Sequence, residues 1–118
     1  MMDQEFYALL SGAVSFPVGR GHMGSGTSTP RAAFYATGAL RDMHTQGLGL
    51  VEGRMQVDCY GKTAGEALDA EREVLTALEG YAGGSIQMIK LESRVERPAS
   101  DVEILHCMSL SFSMIYRD

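Results

Sequence analysis

Apolar and polar positions alternate most cleanly at two places in the chain, and both read as strands. In residues 50–60, LVEGRMQVDCY, Val51, Met55, Val57 and Cys59 fall on one face and Glu52, Arg54, Gln56 and Asp58 on the other, the period of two expected of a half-buried strand. Residues 102–117 alternate over their whole length, with Val102, Ile104, His106, Met108, Leu110, Phe112, Met114 and Tyr116 on one face and Ser109, Ser111 and Ser113 on the other. Two further strands are expected. One is the aromatic run RAAFYAT between Pro30 and Gly38; the other is 86–96, where Ile89, Leu91 and Val95 share a face.

The period changes after Thr63. Thr63 and Glu66 form a capping-box pattern, each side chain placed to satisfy a free amide of a helix start. From there Ala67, Leu68, Glu71, Val74, Leu75 and Leu78 line one stripe, while Glu66, Asp69, Arg72, Glu73 and Glu79 line the other until Gly80, Gly83 and Gly84 stop the helix. A short helix over 3–11 gathers Phe6, Leu9 and Leu10 on one side, with Asp3 and Glu5 at its positive end. The elements predict one α+β domain over 1–118: a mainly antiparallel sheet of about four strands packed against an amphipathic helix, plus a short N-terminal helix.

Between the periodic segments, residues 39–49 read as a connection, and GRGHMGSGTSTP at 19–30 reads as a flexible Gly/Ser-rich loop with nothing apolar recurring. Its opening GRGHMG matches the letters of the G-x-G-x-x-G phosphate fingerprint. That motif needs a strand before it and a helix after it, however, and SGTSTP cannot start a helix. Its length, and the lack of any local packing signal, instead make Arg20, His22, Met23, Ser25, Thr27 and Ser28 candidates for contact with a partner.

Length and charge narrow the function classes. A chain of 118 residues has room for one modest core, and 45% hydrophobic with 21% charged residues is ordinary for a folded domain. The formal charge of -5 has the wrong sign for holding nucleic acid through its phosphates. Cys59 and Cys107 lie in strand patterns without a CxxC cluster and are expected as reduced thiols. No apolar run approaches the ~20 residues of a membrane span and no basic leader opens the chain, so a soluble, unexported protein is expected.

Candidate chemistry is sparse. His106 and Cys107 are strand neighbours whose side chains point to opposite faces, so they do not readily share a metal with His22 or His44. No G-x-S-x-G elbow appears, and the helix carboxylates are interleaved with Arg72 as on a solvated face. No catalytic residue, metal or cofactor is therefore expected. Met55, Met88, Met108 and Met114 fall in strands and read as core or interface filler. Ser109, Ser111 and Ser113 form a ladder with two readings: a small polar face left to solvent, or a surface on which another subunit packs closely.

The segment GRMQVDCYGKTAGEALDAEREVLTALEG at 53–80 and the closing LHCMSLSFSMIYRD resemble the tail-terminator (tail-completion) family of long-tailed bacteriophages and phage-like gene transfer agents. A strand ending in an Asp-aromatic pattern leads there through a short turn into an Ala/Glu-rich helix, and an alternating strand ends the domain. Where that family has a PYVVY-like run, this chain reads Pro30-Arg31-Ala32-Ala33-Phe34-Tyr35. The resemblance implies a structural virion protein, assembled in the host cytoplasm, that forms a hexameric ring on the last ring of the tail tube. Such a ring ends tube growth and offers a surface to the head-side stopper. Its partners would be its own copies, the tail-tube protein and the stopper, with DNA passing through unbound; six copies at -5 each put a repulsive charge of about -30 around the channel. A head-closure stopper or tail-tube subunit is the related alternative, and a small-molecule-binding α+β domain is the alternative from another class.

Overall fold

The computed structural model describes residues 2–20, 30–36, 41–42, 50–97 and 106–117. In chain order they form α1 (Met2–Ala13), β1 (Val18–Arg20), β2 (Arg31–Ala36), β3 (Arg41–Asp42), β4 (Leu50–Gly61), α2 (Ala64–Leu78), β5 (Ile86–Arg97) and β6 (His106–Arg117). The sheet runs β1-β2-β4-β6-β5, with β3 pairing to β4 off that path. The expectation of α+β architecture holds, and that of about four mainly antiparallel strands is corrected: five strands lie in the path and β1 pairs with β2 in parallel.

Both missed strands are too short to carry a period. β1 has three residues, two of them assigned by sequence to the loop at 19–30, and is held by the register Val18↔Ala32 to Arg20↔Phe34 and by the Ala32 amide donating to the Pro17 carbonyl at 3.0 Å. β3 has two residues, Arg41 and Asp42, inside the stretch read as a connection. The rest of the loop, 21–29, and the first four residues of the expected closing strand, 102–105, lie outside the described residues.

The centre is the antiparallel pair β4–β6, in register from Leu50↔Arg117 to Gly61↔His106. Every second residue faces the helices, so Met55, Val57 and Cys59 meet Phe112, Leu110 and Met108 across the ladder, all buried. Phe6 of α1 lies against Phe34 of β2 with ring centroids 5.1 Å apart, and Leu10 follows one turn later, fully buried. Burying a side chain of this size contributes about 1.5–3 kcal/mol.

α2 starts as predicted. Thr63 Oγ1 accepts from the Glu66 amide at 3.1 Å, and Glu66 Oε1 from the Lys62 amide at 2.9 Å. Its buried stripe is Ala67, Ala70, Glu71, Val74 and Leu78, whereas Leu68 is 42% exposed, contrary to the expected stripe. The short connection from β4 brings the first turn of α2 back against Gly61, where a Cβ would lie 2.5 Å from the Ala67 nitrogen. Polar ties fix both helices. Ser15 donates from its amide and hydroxyl to Glu73 at 2.8 and 2.9 Å, and Ser85 donates to Glu5 through its amide at 3.1 Å and through its hydroxyl.

β5 departs most from the sequence reading. Its register against β6 slips between Ile86 and Met88 and again between Leu91 and Ser93. An extra residue in one strand turns every later side chain to the opposite face. Ile86, Ile89 and Leu91 therefore point to the core, but beyond the second slip Arg94 pairs with Leu110 on the core side and Val95 with Ser109 on the other. Val95 does not share a face with Ile89 and is 53% exposed; Met88, expected as core or interface filler, is 45% exposed and so is not core. Arg94 instead reaches the buried Glu71, with Nε and Nη2 donating to the carboxylate at 2.8–3.1 Å.

Candidate functional site

Among the described residues both helices pack on one face of the sheet, and the second face carries no helix. Register assigns to that second face Arg31, Ala33 and Tyr35 of β2, Glu52, Arg54, Gln56, Asp58 and Tyr60 of β4, and Cys107, Ser109, Ser111, Ser113 and Ile115 of β6, with Met88, Lys90, Ser93 and Val95 of β5 beyond. Each lies there because its neighbours in sequence are the buried set, so this face is the complement of the core pattern.

Its centre is a hydrogen-bonded group. Gln56 Nε2 donates to Tyr35 Oη at 2.7 Å and to Asp58 Oδ1 at 2.9 Å, and Tyr35 Oη donates to Asp58 Oδ2 at 3.2 Å. Asp58 is only 6% exposed although the sequence places it on the solvent side; the carboxylate is surrounded by donors from its own face. Beside it the Arg31 guanidinium lies 5.2 Å from the centroid of the Tyr60 ring, a cation–π stack. Burial pushes the Tyr60 phenol from its ordinary 10 up to about 12; the negative charges that Cys107, Asp58 and Tyr35 can carry add to this, and Arg31 offsets it in part. At pH 7 the group is a neutral donor.

The serine ladder lies next to this group. Ser109 stands between Asp58 and Val95, Ser111 between Gln56 and Ser93, and Ser113 between Arg54 and Lys90. Ser109 is buried and Ser111 and Ser113 are half-buried, so the ladder is not a freely solvated strip. Of the candidate contact loop, Arg20 ends β1 as an exposed residue at the rim of a cleft of about 210 Å3 lined also by Gln4, Tyr7 and Phe34. His22, Met23, Ser25, Thr27 and Ser28 lie outside the described residues.

Tyr35, Gln56 and Tyr60 are half-buried and held by their neighbours, so they offer contact area at low entropic cost, whereas Arg31 is only 3% exposed and acts within the fold. Among the described residues no group of three or more His, Cys, Asp or Glu is placed to hold a metal ion, and no helix is long and apolar enough to cross a membrane. Cys59 is buried and its thiol is pushed far up by desolvation, so it is held as the thiol rather than the nucleophilic thiolate. Sequence reasoning missed Arg31, Tyr35 and Tyr60. The usable signal was positional: Gln56, Asp58 and Tyr60 share a face at spacing two, and Arg31, Ala33 and Tyr35 do so on the neighbouring strand.

No family model matches the sequence, and no curated protein matches it. The fold is similar to that of a chain in a solved structure described as "Virion of native gene transfer agent (GTA) particle", with a TM-score of 0.63 and 13% identity over 95% of this chain and 84% of that one.

Proposed function

We propose that the protein is a structural virion subunit that forms a ring, most specifically a tail terminator that caps the tail tube and joins it to the head-side connector. The observation that carries this reading is the agreement of fold with a gene transfer agent virion chain over 95% of this chain and 84% of that one. A shared fold by itself leaves many roles open. The choice among them rests on the sequence resemblance at 53–80 and in the closing strand. In this reading six copies surround a channel for DNA, Ser109, Ser111 and Ser113 belong to a contact between copies, and the loop at 19–30 reaches the neighbouring ring. The protein consumes no substrate.

The test is removal and return. Particles assembled without the protein should give heads lacking tails, together with tubes of uncontrolled length seen by electron microscopy. Purified protein should restore joining in proportion to the number of rings added, because a cap acts stoichiometrically. Restoration of many particles by a trace of protein would refute the structural role. Normal tube length with unjoined heads would favour a head-closure stopper, and loss of tubes altogether would favour a tail-tube subunit.

A further inference from the structure

Strand β5 is an edge of the sheet, and its two halves are finished differently. Over the first half the backbone groups that point away from β6 already have partners. Ile86 exchanges both bonds with Gly83 at 2.9 Å, the Ile89 carbonyl accepts from the Gly80 amide at 3.0 Å, and the Leu91 amide donates to Glu79 Oε2 at 2.9 Å. These positions also fix which residues present their backbone outward: 86, 89 and 91, with a step of three across the first slip and of two after it. Carrying the count across the second slip makes Arg94 and Glu96 the next outward residues. The turn after α2 covers the edge only as far as Leu91, and Ser93, Arg94, Val95 and Glu96 are all exposed.

We propose that this outer half of β5 pairs with the same segment of a second copy, antiparallel about a two-fold axis through Val95. Backbone direction and charge select that register together. Outward residues must bond to outward residues, so 94 and 96 of one copy face 94 and 96 of the other. Placing Arg94 on Arg94, or Glu96 on Glu96, sets like charges directly opposite, which destabilises a pair. The register between these sets Arg94 against Glu96 twice and Val95 against Val95 once. The bonds from Arg94 to Glu71 use Nε and Nη2 and lie on the helix side of the sheet, and the side chain is still 48% exposed, so the guanidinium is oriented before the second copy arrives. Charges on an edge strand usually deter pairing, but an Arg-x-Glu repeat becomes complementary when read antiparallel against itself. The contact is small, below the roughly 1,200 Å2 of stable complexes, and dissociates readily.

Cysteine trapping tests the register in the full chain. Directly opposed residues of the non-bonded type lie about 4.5 Å apart at Cα, within the disulfide range of roughly 4.4–6.8 Å. Val95→Cys should therefore be linked to its own copy by oxidised glutathione, which takes up the two electrons, while Ser93→Cys, about 14 Å from its counterpart, should not. The native Cys59 and Cys107 are buried and do not compete. In sedimentation velocity the parent chain should show a concentration-dependent dimer, which Glu96→Arg weakens about tenfold by setting like charges opposite at two places. Equal linking of Val95→Cys and Ser93→Cys, or a dimer unchanged by Glu96→Arg, overturns the pairing. The proposal is independent of the ring reading: absence of the cross-link alongside normal head–tail joining would overturn the pairing and leave the ring standing.

Discussion

Replacing Arg94 by leucine removes the partner of a carboxylate that the fold has already taken out of water. Glu71 projects from the buried stripe of α2 and is 7% exposed, and its two oxygens accept from Nε and Nη2 of Arg94 at 2.8–3.1 Å. Breaking a fully buried pair costs about 3–5 kcal/mol because one charge is left uncompensated. Here the arginine side is 48% exposed, so solvent screens part of the interaction and water can reach the carboxylate once the arginine is gone. The expected loss is about 1.5–3 kcal/mol, a fall in melting temperature of roughly 6–12 °C for a domain of this size. Urea unfolding of the parent, Arg94→Leu, Glu71→Leu and the double variant gives the coupling. The double variant should be more stable than Arg94→Leu alone, because it removes the stranded charge together with its partner. An Arg94→Leu loss under about 0.5 kcal/mol, or a double variant no better than the single, would refute the account of how β5 is fastened to the helix.

Gly61→Ala should cost about 1–3 kcal/mol in urea unfolding, since the added Cβ meets backbone atoms of Glu66 and Ala67 at 2.5–2.9 Å that no rotamer change can move. Tyr60→Phe should reduce alkaline sensitivity: with the folded phenol raised from 10 to about 12, the parent holds that contribution below pH 10 and loses it as pH rises through 12, so the gap between parent and variant should open across that window. Val57→Asp and Met114→Asp should abolish soluble expression, because each puts an unpaired carboxylate at a position no more than 1% exposed. Ser111→Asp, on the half-buried ladder, should cost under about 1 kcal/mol in folding yet lower the yield of joined particles if the ladder packs against another copy.

The parts of the fold visible in the sequence are those where one period runs unbroken over many residues. β4 and β6 each extend over 12 residues and meet without a slip, so alternation named the core faces of both correctly. The Thr63–Glu66 cap was equally legible because its chemistry is local. β1 and β3 were invisible for the opposite reason: three and two residues have no period, and their backbone bonds depend on a neighbour distant in sequence. The candidate site was legible only in part. The serines were picked out as a ladder, but the Tyr35–Gln56–Asp58 group joins two strands, and no single-strand pattern announces a hydrogen bond between residues 21 or 23 positions apart. Leu68 misled because helical spacing alone does not say how wide a stripe the sheet can cover.

The slip between Leu91 and Ser93 links these observations. A strict alternation carried through β5 would send Val95 into the core and turn Arg94 outward; one extra residue reverses both. The apolar side chain then stands 53% exposed beside the serine ladder, and the charged one reaches under the helix to Glu71. Under strict alternation Arg94 would turn away and leave Glu71 buried without its partner, at about 1.5–3 kcal/mol, whereas a valine left partly in water forfeits around 1 kcal/mol. The bulge therefore favours the isolated fold as well as changing its surface. It ends the stretch of edge covered by the turn after α2, and it sets an apolar residue between two opposite charges on the uncovered half. Together these leave Ser93–Glu96 exposed along the edge, with the backbone groups of Arg94 and Glu96 turned away from β6.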